Sequence, residues 1–174
     1  AAAEGGLYAE LRSFEGPIVG LCGGYQLLGE RLSNAAIEGT GDAETVPGAG
    51  LLPVETRFSR EKTVEPVERR LRGCGPLAGA AGTVSGYEIH MGDSDPIADA
   101  DIERPFDGGG AADGDVVGTY LHGLFENDGL RDVFLNSVYD AADRRRPSEA
   151  AARPSPYDRA AELVGRIDLE PFGL

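Results

Sequence analysis

A chain of 174 residues with 41% hydrophobic composition can bury one core of ordinary size but hardly two, so one domain over residues 1–174 is expected. Thirty acidic against 16 basic side chains leave a formal net charge of -14, and Lys62 is the only lysine; such a surface repels nucleic acid and anionic membranes and needs counterion screening, as in a high-salt cytoplasm. No 18-residue apolar span or secretory leader is visible, and Cys22 and Cys74 lie in unlike contexts, so the expectation is a cytoplasmic protein with neither membrane anchor nor disulfide scaffold.

In chain order, Leu7, Leu11 and Phe14 recur at helical spacing within residues 1–15, and a chain that opens directly on a helix reads as the later part of something longer. In residues 16–32, GPIVGLCGGYQLLGERL, the apolar run from Pro17 to Leu21 predicts a buried strand. Tyr25, Leu28 and Leu32, with Leu27 beside them, predict a helix behind it. Residues 33–50 read as a loop, and residues 50–67 as an edge hairpin with its turn at Ser59 and Arg60, where Pro53 is tolerated and the charges face solvent. The glycine-rich stretch 71–82 places Cys74 in a loop, without a catalytic role.

Residues 83–92, TVSGYEIHMG, predict a strand ending at His90, and residues 93–114 an acidic, glycine-rich excursion. Residues 115–125, DVVGTYLHGLF, predict another buried strand containing Val116, Val117, Tyr120 and Leu121, with His122 at its C-terminal end. An amphipathic helix over 127–140 follows, capped by Asp128 and presenting Leu130, Val133, Phe134 and Val138. Residues 144–156 read as a surface linker to a last helix, whose Leu163, Val164 and Ile167 dock back on the domain. No internal repeat and no metal-ligand spacing is visible.

The chemistry concentrates at Cys22. Gly20, Leu21, Cys22, Gly23 and Gly24 form the cysteine version of the G-x-S-x-G elbow, in which small neighbours let a strained strand-to-helix turn expose a nucleophile. A helix start favours the thiolate, and the backbone N-H of Gly23 faces the oxyanion of an acyl group that Cys22 attacks. A buried structural cysteine beside a glycine-rich helix start is the alternative. A nucleophilic thiol also needs an acid-base partner. The chain has two histidines, His90 and His122, and both are predicted at strand ends, where ligands of open α/β sheets gather. His122 is the expected base, against the alternative that either ring is simply hydrogen-bonded at a strand end.

With Gln26 included, GLCGGYQ resembles the nucleophile motif of the class I (triad) glutamine amidotransferases. GLLPVETRFSREKT, GYEIHMG, GTYLHGLFENDGLRDVFL and YDRAAELV resemble, in matching order, the C-terminal amidotransferase region of the cobyric acid synthases. The resemblance implies an α/β fold of three layers, flavodoxin-like, with a mixed, mainly parallel sheet and helices on both faces, here lacking its first strand and the glycine turn that supplies a second oxyanion donor. It implies Cys22 as nucleophile, the Gly23 N-H as oxyanion donor, Gln26 as a holder of substrate, His122 as base and His90 as a residue lining the site.

The substrate implied is L-glutamine, whose ammonia passes to an N-terminal ATP-dependent synthase domain. That domain amidates adenosylcobyrinic acid a,c-diamide at its b, d, e and g side chains in cobalamin biosynthesis. No G-x-x-x-x-G-K-[ST] occurs here, so no cofactor or metal is expected in this chain, with ATP and Mg expected on the synthase domain. The triad pattern H-P-E is replaced by His122, Gly123 and Leu124, which leaves a Cys-His dyad; Glu126 and Glu88 lie near the histidines in sequence without an assigned role. Other readings are the amidotransferase subunit of lipid II glutamate amidation, an a,c-diamide synthase, and a non-catalytic module that binds a partner synthase.

Overall fold

The computed structural model describes residues 6–38, 44–98, 100–147 and 156–165, in two units, Ala1–Arg144 and Arg145–Leu174. The first begins with α1 (Leu7–Ser13), β1 (Ile18–Leu21), α2 (Gly23–Leu28) and β2 (Arg31–Ser33). After a short 3-10 turn at Ala35–Glu38 come β3 (Thr45–Pro47), the long strands β4 (Val54–Arg70) and β5 (Thr83–Pro96), then β6 (Ala111–Asp113), β7 (Val116–Thr119), β8 (Leu121–His122) and α3 (Asp128–Ala141). The second unit contains α4 (Pro156–Val164). Residues 148–155 of the expected linker and Ile167 lie outside the described residues, as do residues 1–5 and 39–43.

The strands form two sheets, ordered β1-β7-β6 and β3-β2-β4-β5-β8. The expected mixed α/β character stands, but the expected predominance of parallel pairing does not. Among the described strands only β1 with β7 and β2 with β4 run parallel, and the other four pairings are antiparallel. For the longest of these pairings the cause is the compact segment 71–82, with its turn at Gly75–Leu77, which returns β5 along β4 instead of crossing over it. Two apolar clusters hold the sheets together. One packs Val67 and Val84 with Val117, Leu121, Leu124 and Leu130, and the other joins Tyr25 and Leu28 of α2 to Leu52, Val54, Ala111 and Tyr120.

Several expected elements take a different form. In α1 the buried residue is Tyr8, with Leu11 packed on the core, while Leu7 and Phe14 are exposed; the helix stops at Ser13, so Phe14 is already extended. The elbow helix ends at Leu28, and Leu32 is buried from strand β2 instead. Ser59 and Arg60 make no hairpin turn, because β4 continues past them as one strand. Four residues between Arg57 and Lys62 bulge opposite Gly92, whose φ of +84 and close approach to the Arg57 carbonyl exclude a side chain.

His90 therefore lies within β5 and not at its end, because Asp93 to Pro96 continue the ladder to Val54–Arg57. The predicted strand at 115–125 is broken at Tyr120, where the chain passes from one sheet to the other between β7 and β8. The cap of α3 is Asn127, one residue before the expected Asp128, and its side chain instead ties the helix start to Ser85 of β5 through both amide atoms.

Candidate functional site

The parallel pairing of β1 with β7 carries Cys22 to the end of both strands, where its N-H donates to the Thr119 carbonyl at 2.9 Å. Its backbone, at φ 51° and ψ -114°, lies in a region that L-residues rarely enter. The next turn starts at once, with Gln26 N-H donating to the Cys22 carbonyl at 3.1 Å. Such tight folding-back needs Gly20, where a Cβ would meet the Tyr25 backbone nitrogen at 2.8 Å. Gly23 and Gly24 leave the space over the helix start open apart from the Gln26 Oε1. The half-buried thiol donates to the Ile89 carbonyl of β5 at 3.3 Å.

The two histidines occupy opposite faces of β5. His122 pairs with Tyr87 in the β5-β8 ladder, and the rings stack with centroids 5.0 Å apart and planes 6° from parallel. The His122 Nε2 is buried and has no hydrogen-bond partner, a state that polar atoms in folded proteins rarely keep without a reason. Along β5, Tyr87 and Ile89 share one face about 7 Å apart, so His122 stands one pleat repeat from the carbonyl that holds the thiol. His90 points the other way. Its Nδ1 lies 2.9 Å from the Gly92 carbonyl and its Nε2 3.4 Å from the Glu88 carboxylate, which also accepts from Arg69 at 3.0 Å. Both neighbours of the His90 ring are hydrogen-bond acceptors.

Between these groups runs a hydrogen-bonded chain with no counterpart in the sequence reading. Gln26 Nε2 donates to the Tyr120 hydroxyl at 3.4 Å, Tyr120 and Ser94 share a hydrogen bond of 2.7 Å, and Ser94 shares another of 2.7 Å with Thr56. His90 stacks on the Tyr120 ring at 3.9 Å, and Tyr25 meets the same ring edge-on at 5.2 Å. Burial pushes the Tyr120 phenol up, against the lowering effect of its hydrogen bonds, and burial and Tyr120 push Tyr25 up further. Both hydroxyls thus remain protonated. The available signal was Thr56, a hydroxyl on the same strand face as Val54 and Phe58 that must find a partner once buried.

A cleft of about 580 Å³ opens beside this chain, lined by Tyr25, Glu88, His90, Ser94, Arg104 and Tyr120 among others, and neither Cys22 nor His122 borders it. Cys74 is buried in the first apolar cluster, and burial raises its thiol pKa. The structure thus sets the Cys22 thiol against the Ile89 carbonyl of β5, places both Gln26 and His90 on Tyr120, and stacks His122 on Tyr87. Among the described residues no helix is long and apolar enough to cross a membrane.

Residues 2–130 match the family described as the CobB/CobQ-like glutamine amidotransferase domain. A probable cobyric acid synthase of Halobacterium salinarum is 51% identical over 177 residues, covering 100% of this chain and 34% of that protein. A cobyric acid synthase of Desulfitobacterium hafniense is 37% identical over 166 residues, covering 88% of the chain and 32% of its own length. The chain thus spans about a third of the length of these curated relatives. A crystal structure of a glutamine amidotransferase has the same fold at a TM-score of 0.52 and 15% identity, covering 79% of this chain and 70% of that one. With the family match running from Ala2 through the elbow, both histidines and the start of α3, the chain belongs to the CobB/CobQ-like glutamine amidotransferases.

Proposed function

We propose that this chain is the glutamine-hydrolysing, ammonia-supplying part of a cobyric acid synthase, with Cys22 as nucleophile and His122 as its acid-base partner. The observation that carries the reading is the Cys22 elbow. Its strained backbone puts the thiol against β5, one pleat repeat from the pair formed by Tyr87 and the unpartnered His122 Nε2. Glutamine places its carboxamide over the helix start, where Gly23 and Gly24 leave room, and Gln26, oriented by Tyr120, holds it.

His122 takes the thiol proton as sulfur attacks the amide carbon, and the oxyanion rests on the Gly23 N-H. The same imidazole protonates the departing ammonia, then takes a proton from the water that releases glutamate and returns it to sulfur. His90, held by Glu88 and Gly92 behind Tyr120, supports the site from beneath. The ammonia is used by a synthase portion that binds ATP and Mg and amidates adenosylcobyrinic acid a,c-diamide; none of the steps above involves those groups.

Cys22→Ser is expected to abolish glutamine-dependent amidation by the assembled synthase and leave the ammonia-dependent reaction intact. Cys74→Ser changes neither activity, although a hydroxyl in that apolar pocket costs about 1–3 kcal/mol of stability. Equal loss of glutamine-dependent turnover in both variants, or loss of the ammonia-driven reaction in Cys22→Ser, sinks the assignment.

A further inference from the structure

Strand β5 carries an apolar run on the face opposite Glu88 and His90. Val84 faces the core. On the opposite face Tyr87, Ile89 and Met91 follow one another, and the ladder sets Pro66 beside Tyr87 and Val64 beside Ile89. Val64, Tyr87 and Ile89 are 63%, 47% and 38% exposed. A sheet with one solvated face is expected to alternate apolar inward and polar outward, and the neighbouring pair Glu68 and Ser85 does return to that pattern. The apolar stripe is therefore local, and it stands out on a chain with a net charge of -14. It also borders the reacting groups: His122 stacks on Tyr87, the Ile89 carbonyl holds the Cys22 thiol, and Leu21, just before Cys22, is exposed.

We propose that this face of β4 and β5 docks the synthase portion that makes up the remaining two-thirds of the relatives, seated so that it covers Cys22 and His122. Two observations select that occupant. The chain spans 34% of the length of its Halobacterium salinarum relative, so a large protein partner travels with this segment there. The stripe is continuous with the thiol and the imidazole, so whatever covers it also closes the space into which ammonia is released. A second copy of the chain would set two charges of -14 against each other. The identity of the occupant rests on the proposed function, whereas the existence of a covering partner rests on the stripe alone.

The test uses the intact Halobacterium salinarum relative with this chain in place of its own 51%-identical segment, as wild type and as Val64→Glu. Amide hydrogen exchange at residues 62–66 and 87–91 is expected to be slower in the joined protein than in the separate chain. Val64→Glu is expected to lower glutamine-dependent amidation about tenfold, with ammonia appearing in solution, while glutamine hydrolysis and ammonia-dependent amidation stay unchanged. Equal exchange in the two wild-type proteins overturns the docking surface. A separate chain that sediments as a dimer, and as a monomer with Val64→Glu, overturns the occupant in favour of a second copy. A joined wild-type protein that hydrolyses no glutamine refutes the functional reading instead, and the exchange comparison still decides the surface.

Discussion

Replacing each histidine by asparagine should separate chemistry from stability, because the two rings are held so differently. His122 offers its neighbours one stacking contact with Tyr87 and an Nε2 with no partner, so His122→Asn forfeits only the stacking, about 0.5–1.5 kcal/mol. His90 is 7% exposed at its side chain and contributes a 2.9 Å hydrogen bond to Gly92, a longer contact to Glu88 and a 3.9 Å stack on Tyr120. Losing one good hydrogen bond and one ring contact costs about 1–3 kcal/mol. In a domain of this size that lowers the melting temperature by about 2–12 °C.

Activity should rank the other way. His122→Asn removes the acid and base of the proposed dyad, a loss of about 100-fold to 10,000-fold in glutamine hydrolysis, whereas His90→Asn should cost far less below its own melting point. Coupled glutamate detection at saturating glutamine, together with thermal melts of both variants in one buffer, measures the two axes. A His122→Asn protein that keeps its activity while His90→Asn loses it refutes the role given to His122 and moves the base to the imidazole beside Glu88.

Surface charge and one ion pair give two further expectations. Salt shortens the Debye length from about 10 Å at 0.1 M to about 3 Å at 1 M, so the melting temperature of a chain with net charge -14 should rise between low and molar KCl; an unchanged value removes the high-salt reading. Hydrogen bonds from Arg31 and Ser33 hold the Glu55 carboxyl below the usual carboxylate range. A lowered folded-state pKa stabilises the fold above the unfolded value of about 4.3, and that contribution fades as pH falls through the folded value. Arg31→Ala should therefore lower the urea midpoint slightly at pH 6, the pair being partly solvated, and make no difference in acid once Glu55 is protonated in both proteins. A difference that persists in acid assigns the effect to lost packing.

Much of the local structure is written in short-range pattern. The elbow was legible because its requirements are local: Gly20 for close approach of strand and helix, small residues after Cys22, and an apolar run before it. The strand before Cys22, α3 and the burial of Val117 and Leu121 followed from periodicity in the same way. What periodicity cannot carry is the choice of partner for each strand. The bulge opposite Gly92 turned an expected hairpin into one 17-residue strand, and the break at Tyr120 split an expected strand between two sheets. Both depend on backbone groups supplied by residues distant in sequence. The positions of the two histidines are the sharpest case. Both were expected at strand ends, which holds for His122 and not for His90, and the face of β5 each occupies follows from the register of the ladders with β4 and β8, which pairs Tyr87 with His122 and Thr63 with His90. Because side chains alternate at every residue, a shift of one position would exchange those faces, and only long-range pairing sets that register.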